Sequence, residues 1–192
     1  MCVIIACPTR KRPSLEILKA CERANPHGSG LAWVQKRMVY YIKGLSAAAI
    51  DENLACLKGP VVVHFRIATV GGPKPELCHP FPVSKAATGK TYGHARSVLF
   101  HNGHWSDWLR FVEEHGVELD GPVSDTRVAA VASAMFGFSW LTNIPNRFAL
   151  LSARKGIRFI GDWREHKGVY YSNDVWQRNV PMEQSDLFFG AM

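Results

Sequence analysis

Hydrophobic and polar positions along the chain fall into short runs separated by turn residues, and the period of each run sets the element it predicts. The apolar run Val3 to Ala6 begins almost at the first residue and reads as a short buried strand. Ser14 is then a candidate N-cap for a helix with Leu15, Leu18 and Ala20 or Cys21 near helical spacing. Asn25-Pro26-His27-Gly28-Ser29-Gly30 is a turn by composition. Leu31 to Val34 and Met38 to Ile42 flank Lys36-Arg37 and predict a hairpin, and Ser46 can cap a helix that carries Ile50, Leu54 and Leu57 on one face. Pro60 opens the β-branched run Val61-Val62-Val63, a buried strand that leads through His64, Phe65 and Arg66 to Thr69 and breaks at Gly71-Gly72-Pro73-Lys74-Pro75.

Further on, Ser97 to Phe100 predicts a strand ending at His101-Asn102-Gly103. Trp105, Trp108, Leu109 and Val112 fit one face of a following helix, and another begins near Ser124-Asp125 with Val128, Val131, Ala132 and Met135 inward. Phe148 to Leu151, Ile157 to Ile160 and Val169 to Tyr171 alternate with turns and read as antiparallel strands. Strands, hairpins and helices intermixed in this order favour α+β layers over a parallel doubly wound sheet.

Composition narrows the class. A chain of 192 residues without repeat, linker or low-complexity stretch fits one domain, and 47% hydrophobic with 20% charged residues is ordinary for a globular protein. No apolar run is long enough to span a bilayer and the N-terminus lacks a signal peptide's pattern, so a cytoplasmic location is expected, with no membrane partner. The five cysteines are scattered and include no Cys-x-x-Cys pair, which argues against a disulfide framework or a zinc knuckle. The net charge of +7 invites a polyanion, but Arg10-Lys11-Arg12 is the one dense basic run and reads as a solvated loop beside Pro13. The six tryptophans are dispersed, read as core or rim, and form no stacking platform, so nucleic acid is not expected as a partner.

Candidate chemistry starts at Cys2. If Met1 is removed, the α-amine of Cys2, with an ordinary pKa of roughly 7.7–8.0, can take the thiol proton and later give one to a leaving amine. Acyl transfer to a thiolate also needs an oxyanion hole, which Asn102 and the Gly103 N–H can supply at a tight turn. An amino-acid head group needs one fixed cation and one fixed anion, and Arg66 and Asp125 are candidates. Each residue has a plainer alternative: Cys2 as a small apolar residue opening a strand, Asn102-Gly103 as a hairpin turn, Arg66 as a structural ion-pair partner and Asp125 as a helix cap. His101 and His104 are spaced like a metal pair but lack a third ligand nearby in sequence, so a polar loop is expected and no metal. His64 and His79 are expected to support the loop.

Taken in order, these segments resemble the glutaminase domain of class II glutamine amidotransferases. Met1-Cys2-Val3-Ile4-Ile5 is similar to that family's Met-Cys-Gly-Ile start, and Asn25 to Ala32 to its Asp-Gly-x-Gly-Ile turn. His64 to Gly71 resembles Arg-aromatic-x-Thr-x-Gly, and His79-Pro80-Phe81 the His-Pro that follows. His101-Asn102-Gly103 and Ser124-Asp125-Thr126 match the family's His-Asn-Gly and Ser-Asp-Thr, and Phe148 to Leu151 with Arg154 its later core strands. Val3 stands where the family has Gly, and Ile67 where it has an aromatic residue.

The resemblance covers residues 1 to about 175 and implies a single domain over 1–192 with the four-layer αββα sandwich of N-terminal-nucleophile (Ntn) hydrolases, two antiparallel sheets with helices outside. It further implies Cys2 as nucleophile, Asn102 and Gly103 as oxyanion hole, Arg66 and Asp125 as carboxylate and ammonium clamps, and Thr69 with the loop through Gly72 as a cover. The implied reaction is hydrolysis of glutamine or another γ-glutamyl amide, without cofactor. Ammonia or an amine is released, with an ammonia-accepting synthase in trans as candidate partner. The small stand-alone members, often carried by bacteriophages, are the nearest type. The alternative is a catalytically silent binding or regulatory protein on the same fold.

Overall fold

The computed structural model describes residues 2–68 and 72–179. In chain order the elements are β1 (Val3–Cys7), α1 (Leu15–Ala24), β2 (Ser29–Gln35), β3 (Met38–Lys43), α2 (Ala47–Cys56), β4 (Val61–Phe65), β5 (Phe81–Pro82), β6 (Tyr92–Ala95), β7 (Ser97–Asn102), α3 (Trp108–His115), α4 (Asp125–Phe136), β8 (Arg147–Ser152), β9 (Gly156–Ile160), β10 (Arg164–His166) and β11 (Val169–Tyr171). Short 3-10 helices cover Pro75–Leu77, Phe138–Asn143 and Val175–Asn179.

Strand alternation sorts the side chains into three cores. On β1, Val3, Ile5 and Cys7 pack with β4 residues Val61, Val63 and Phe65 against Leu18 of α1 and Ile50 of α2. Ile4, Ala6 and Val62 point the other way and meet Val98 and Phe100 of β7 and Ala149 and Leu151 of β8. Leu99, Phe148 and Leu150 then face Phe111 of α3 and Val128 and Val131 of α4. Helices, sheet, sheet and helices thus form four layers. The first sheet has seven strands in the order β10-β11-β1-β4-β2-β3-β6, the second four in the order β5-β7-β8-β9. Every pairing is antiparallel.

Local chemistry accounts for the ends of these elements. Ser14, Ser46 and Ser124 accept from Ile17, Ala49 and Arg127 N–H respectively and so start α1, α2 and α4. The β2–β3 hairpin closes through Lys36 and Arg37, both at positive φ, in the two-residue turn that suits the strand twist.

Four expectations need correction. Trp105 lies ahead of α3 rather than in it, and because the helix starts at Trp108 its inward face runs through Phe111 and Val112, leaving Leu109 exposed. Met135, in the last turn of α4, is likewise exposed. His101 is not in a loop: β7 continues through Asn102, and His101 is buried and stacked on Phe148 at 4.5 Å. Arg12 is not simply solvated, since its guanidinium donates to the carbonyls of Leu57 and Gly59, both at 2.8 Å. Among the described residues no helix is long and apolar enough to cross a membrane, and no cluster of three His, Cys, Asp or Glu side chains is placed to hold a metal ion.

Candidate active site

The site residues gather because they sit at element ends that share one edge of the sandwich. Val3 pairs with Phe65, so Cys2, one residue before β1, and Arg66, one residue after β4, emerge side by side. Asn102 ends β7, and Asp125 opens α4 directly after its cap, Ser124. Capping therefore falls to Ser124, and the Asp125 carboxylate is directed to the cleft. Cys2, Arg66, Gly103 and Asp125 line one small cleft together with Ile67, His79, His101, His104 and Trp108, among others. Its volume is about 70 Å³. A groove of about 1050 Å³ at the β3–β6 edge is far larger, but its lining of Trp33, Tyr40, Tyr92 and neighbours contains no thiol. Chemistry, rather than size, selects the small cleft.

Cys2 Sγ contacts the Ile67 carbonyl at 3.6 Å, and the Cys2 carbonyl accepts from Asn173 Nδ2 at 2.6 Å. Burial pushes the thiol above its ordinary pKa, and the nearby Arg66 guanidinium pulls it back in part. A thiol so placed needs a base to become a thiolate. Met1 and Thr69 lie outside the described residues.

The Arg66 main chain is clasped by the preceding turn: its N–H donates to Gly28 O at 2.7 Å, its carbonyl accepts from His27 N–H at 2.9 Å, and His27 Nδ1 accepts from Ala68 N–H at 2.8 Å. Arg66 Nη1 donates to Gly72 O at 2.6 Å. Asp125 Oδ2 accepts from Trp105 N–H at 3.1 Å and lies 3.7 Å from His101 Nδ1 and 3.8 Å from His104 Nδ1, while Oδ1 accepts from Thr126 N–H at 2.7 Å.

Gly103 has a φ of +152°, and a Cβ there would fall 2.1 Å from Asn146 Oδ1. Only glycine fits this turn beside the cleft. Asn102 is buried, with Nδ2 placed 2.9 Å from Ser172 Oγ and Oδ1 without a protein partner among the described residues. Beneath the cleft three histidines stack and link: the His64 and His79 rings lie 4.0 Å apart, His64 Nδ1 accepts from His79 N–H, and His79 Nδ1 accepts from His101 N–H. Burial holds His64 and His79 well below the ordinary value and lowers His101 to about 4, against the pull of Asp125. These rings are neutral near pH 7; those of His64 and His79 accept from backbone N–H groups, and His101 Nδ1 lies 3.0 Å from Thr126 Oγ1.

Comparison with known proteins adds the fold. No family model matches the chain, and no curated protein does. Among solved structures it is similar to glutamine phosphoribosylpyrophosphate (PRPP) amidotransferase from B. subtilis complexed with ADP and GMP, with a TM-score of 0.61 and 16% identity over 94% of this chain. The chain shares that enzyme's fold. A second structure, described as the allosteric regulatory enzyme of purine biosynthesis, gives 0.58 and 18% over the same share. In each case the chain spans 43% of the other protein's length. Two antiparallel sheets between helix layers, the Ntn-hydrolase arrangement, are thus common to all three.

Sequence reasoning named Cys2, Arg66, Asn102, Gly103 and Asp125, and the structure brings four of them to one cleft, with Asn102 buried next to Gly103. It missed His27, Ser172 and Asn173. His27 stood in the turn that drew attention for its glycines, whereas Ser172-Asn173 follows a short apolar strand and looks like any strand exit.

Proposed function

We propose that the protein hydrolyses the side-chain amide of glutamine, or of a related γ-glutamyl compound, through a thioester on Cys2. The convergence of Cys2, Arg66, Gly103 and Asp125 on one cleft, within a fold shared with a glutamine amidotransferase, carries this reading. With Met1 gone, the Cys2 α-amine accepts the thiol proton, and the sulfur attacks the amide carbon. The oxygen charge that develops is met by the Gly103 N–H and the Asn102 amide. The protonated α-amine gives its proton to the departing nitrogen, the C–N bond breaks and ammonia leaves. Water then attacks the γ-glutamyl thioester, the C–S bond breaks, and glutamate and the free thiol return.

Arg66 holds the substrate α-carboxylate and Asp125 its α-ammonium, with Thr69 and the 69–72 loop as cover. Residues 1–192 act as one glutaminase domain, and the ammonia passes to a synthase site. Intact-mass spectrometry tests the reading. The expected mass lacks Met1 and rises by one adduct with an electrophilic glutamine analogue, and Cys2→Ala removes both the adduct and ammonia release. Turnover that persists in pure Cys2→Ala protein sinks the nucleophile assignment. A processed protein that binds glutamine without turnover is instead a binding protein on this fold.

A further inference from the structure

Ser172 and Asn173 leave β11 directly and are buried. Ser172 Oγ accepts from Ile4 N–H at 2.9 Å, and Ser172 N–H donates to Ile4 O at 3.0 Å. Asn173 Nδ2 donates to the Cys2 carbonyl. One short turn thus grips the nucleophile strand at two residues and reaches Asn102 as well.

With Asn102 Nδ2 toward Ser172, the polar groups do not balance. Ser172 Oγ receives two N–H donors, its own proton meets no acceptor among the described residues, and the buried Asn102 Oδ1 meets no donor. A buried donor and a buried acceptor left unpaired side by side are both costly. The two ends of an amide have the same shape, so their partners decide which end is which. A half-turn of the amide pairs both groups and moves the position without a protein partner onto the NH2. Ser172 O–H then donates to Asn102 Oδ1 and still accepts from Ile4 N–H, while the Asn102 NH2 turns away from Ser172.

We propose that Ser172 is a positioning residue: its hydroxyl holds the Asn102 amide with the NH2 free for the developing oxyanion, before substrate arrives. Asn173 does the corresponding work on Cys2 by fixing its carbonyl. This inference rests on the reading of Cys2 as nucleophile and Asn102 as oxyanion donor.

Kinetics of the Met1-processed protein test it. Ser172→Ala is expected to lower kcat for glutamine about tenfold or more with KM changed less than about twofold, and Ser172→Thr, which keeps the hydroxyl, to retain most turnover. In an Asn102→Ala background the same Ser172→Ala change is expected to alter kcat by less than about twofold, because nothing remains to be oriented. An equal loss in both backgrounds means a merely structural serine and overturns the proposal. Neutron diffraction of wild-type crystals decides the orientation without reference to activity. Amide deuterons of Asn102 are expected on the side away from Ser172, and deuterons found between Asn102 and Ser172 Oγ overturn the proposal. A processed wild-type protein that hydrolyses neither glutamine nor a γ-glutamyl anilide sinks the functional reading, and the neutron map then still decides the orientation.

Discussion

On the proposed reading, Arg66 and Asp125 differ from Asn102 in when they act. A cation and an anion that hold the two ends of an amino acid do so from the moment of binding, whereas the Asn102 NH2 gains a partner only as charge grows on the oxygen. Arg66→Ala or Asp125→Ala should therefore weaken kcat/KM for glutamine by roughly 2–4 kcal/mol, mostly through KM, by leaving a substrate charge unpaired. Asn102→Ala should lower kcat about a hundredfold with little change in KM. Steady-state kinetics on glutamine and a γ-glutamyl anilide separate these, and neutrality of all three in a folded, processed protein sinks the assignment. Gly103→Ala should destabilise by roughly 1–3 kcal/mol in urea melts, because the new methyl group meets Asn146, which is itself tied to His104 O. Unchanged stability would contradict the turn geometry. That these residues gather was legible in the sequence because each stands in a short motif that the family resemblance marks. Ser172 and Asn173 were not, since their purpose lies in partners about 170 positions away that no local pattern reveals.

Between elements, β2 passes close to the His79-Pro80 backbone. A Cβ on Gly30 would sit 1.7 Å from the His79 carbonyl oxygen, so the strand can pass only with hydrogen there. Gly30→Ala should cost about 3 kcal/mol or more, since backbone must shift on one side or the other. Gly44→Ala is the control: its φ of +82° is strained for alanine, but nothing lies within 4 Å, and a loss of about 1 kcal/mol is expected. Equal losses in urea melts would refute the close approach. Elements with a strong period or a clear cap were read correctly, as at Ser14, Ser46 and Ser124. The phase of α3 was not, because Trp105 continues the apolar spacing one turn too early and burial of Phe111 overrides it. The strands Tyr92–Ala95 and Arg164–His166 escaped notice because sheet edges carry polar residues and need no apolar alternation.

At the scale of the molecule, the α+β class followed from element order, but the stacking of the two sheets came from the family resemblance and not from any period. Nor did periodicity indicate that three histidines would be buried together. Burial, then the positive charges of neighbours, keeps His64 and His79 neutral, and burial lowers His101 to about 4. A depressed folded pKa means that below the ordinary value of 6.5 the unfolded chain takes up protons that the folded one refuses. Stability is full above that value and falls as the pH drops toward the native values, by roughly 1.4 kcal/mol per pH unit for each histidine. Urea midpoints should fall steeply between pH 6.5 and 5, and a flat profile would show that these rings are protonated in the folded protein. The ties from Ser172 to Ile4 and from Asn173 to Cys2 close loops of 168 and 171 residues, among the longest this chain can make. Contacts so distant form late in folding. A ribosome adding roughly 5–20 residues per second takes on the order of 10 s or more to deliver that closing turn. For all that time the emerging chain lacks both ties, and its first residues stay open to trimming enzymes until Ser172 and Asn173 arrive to fasten them.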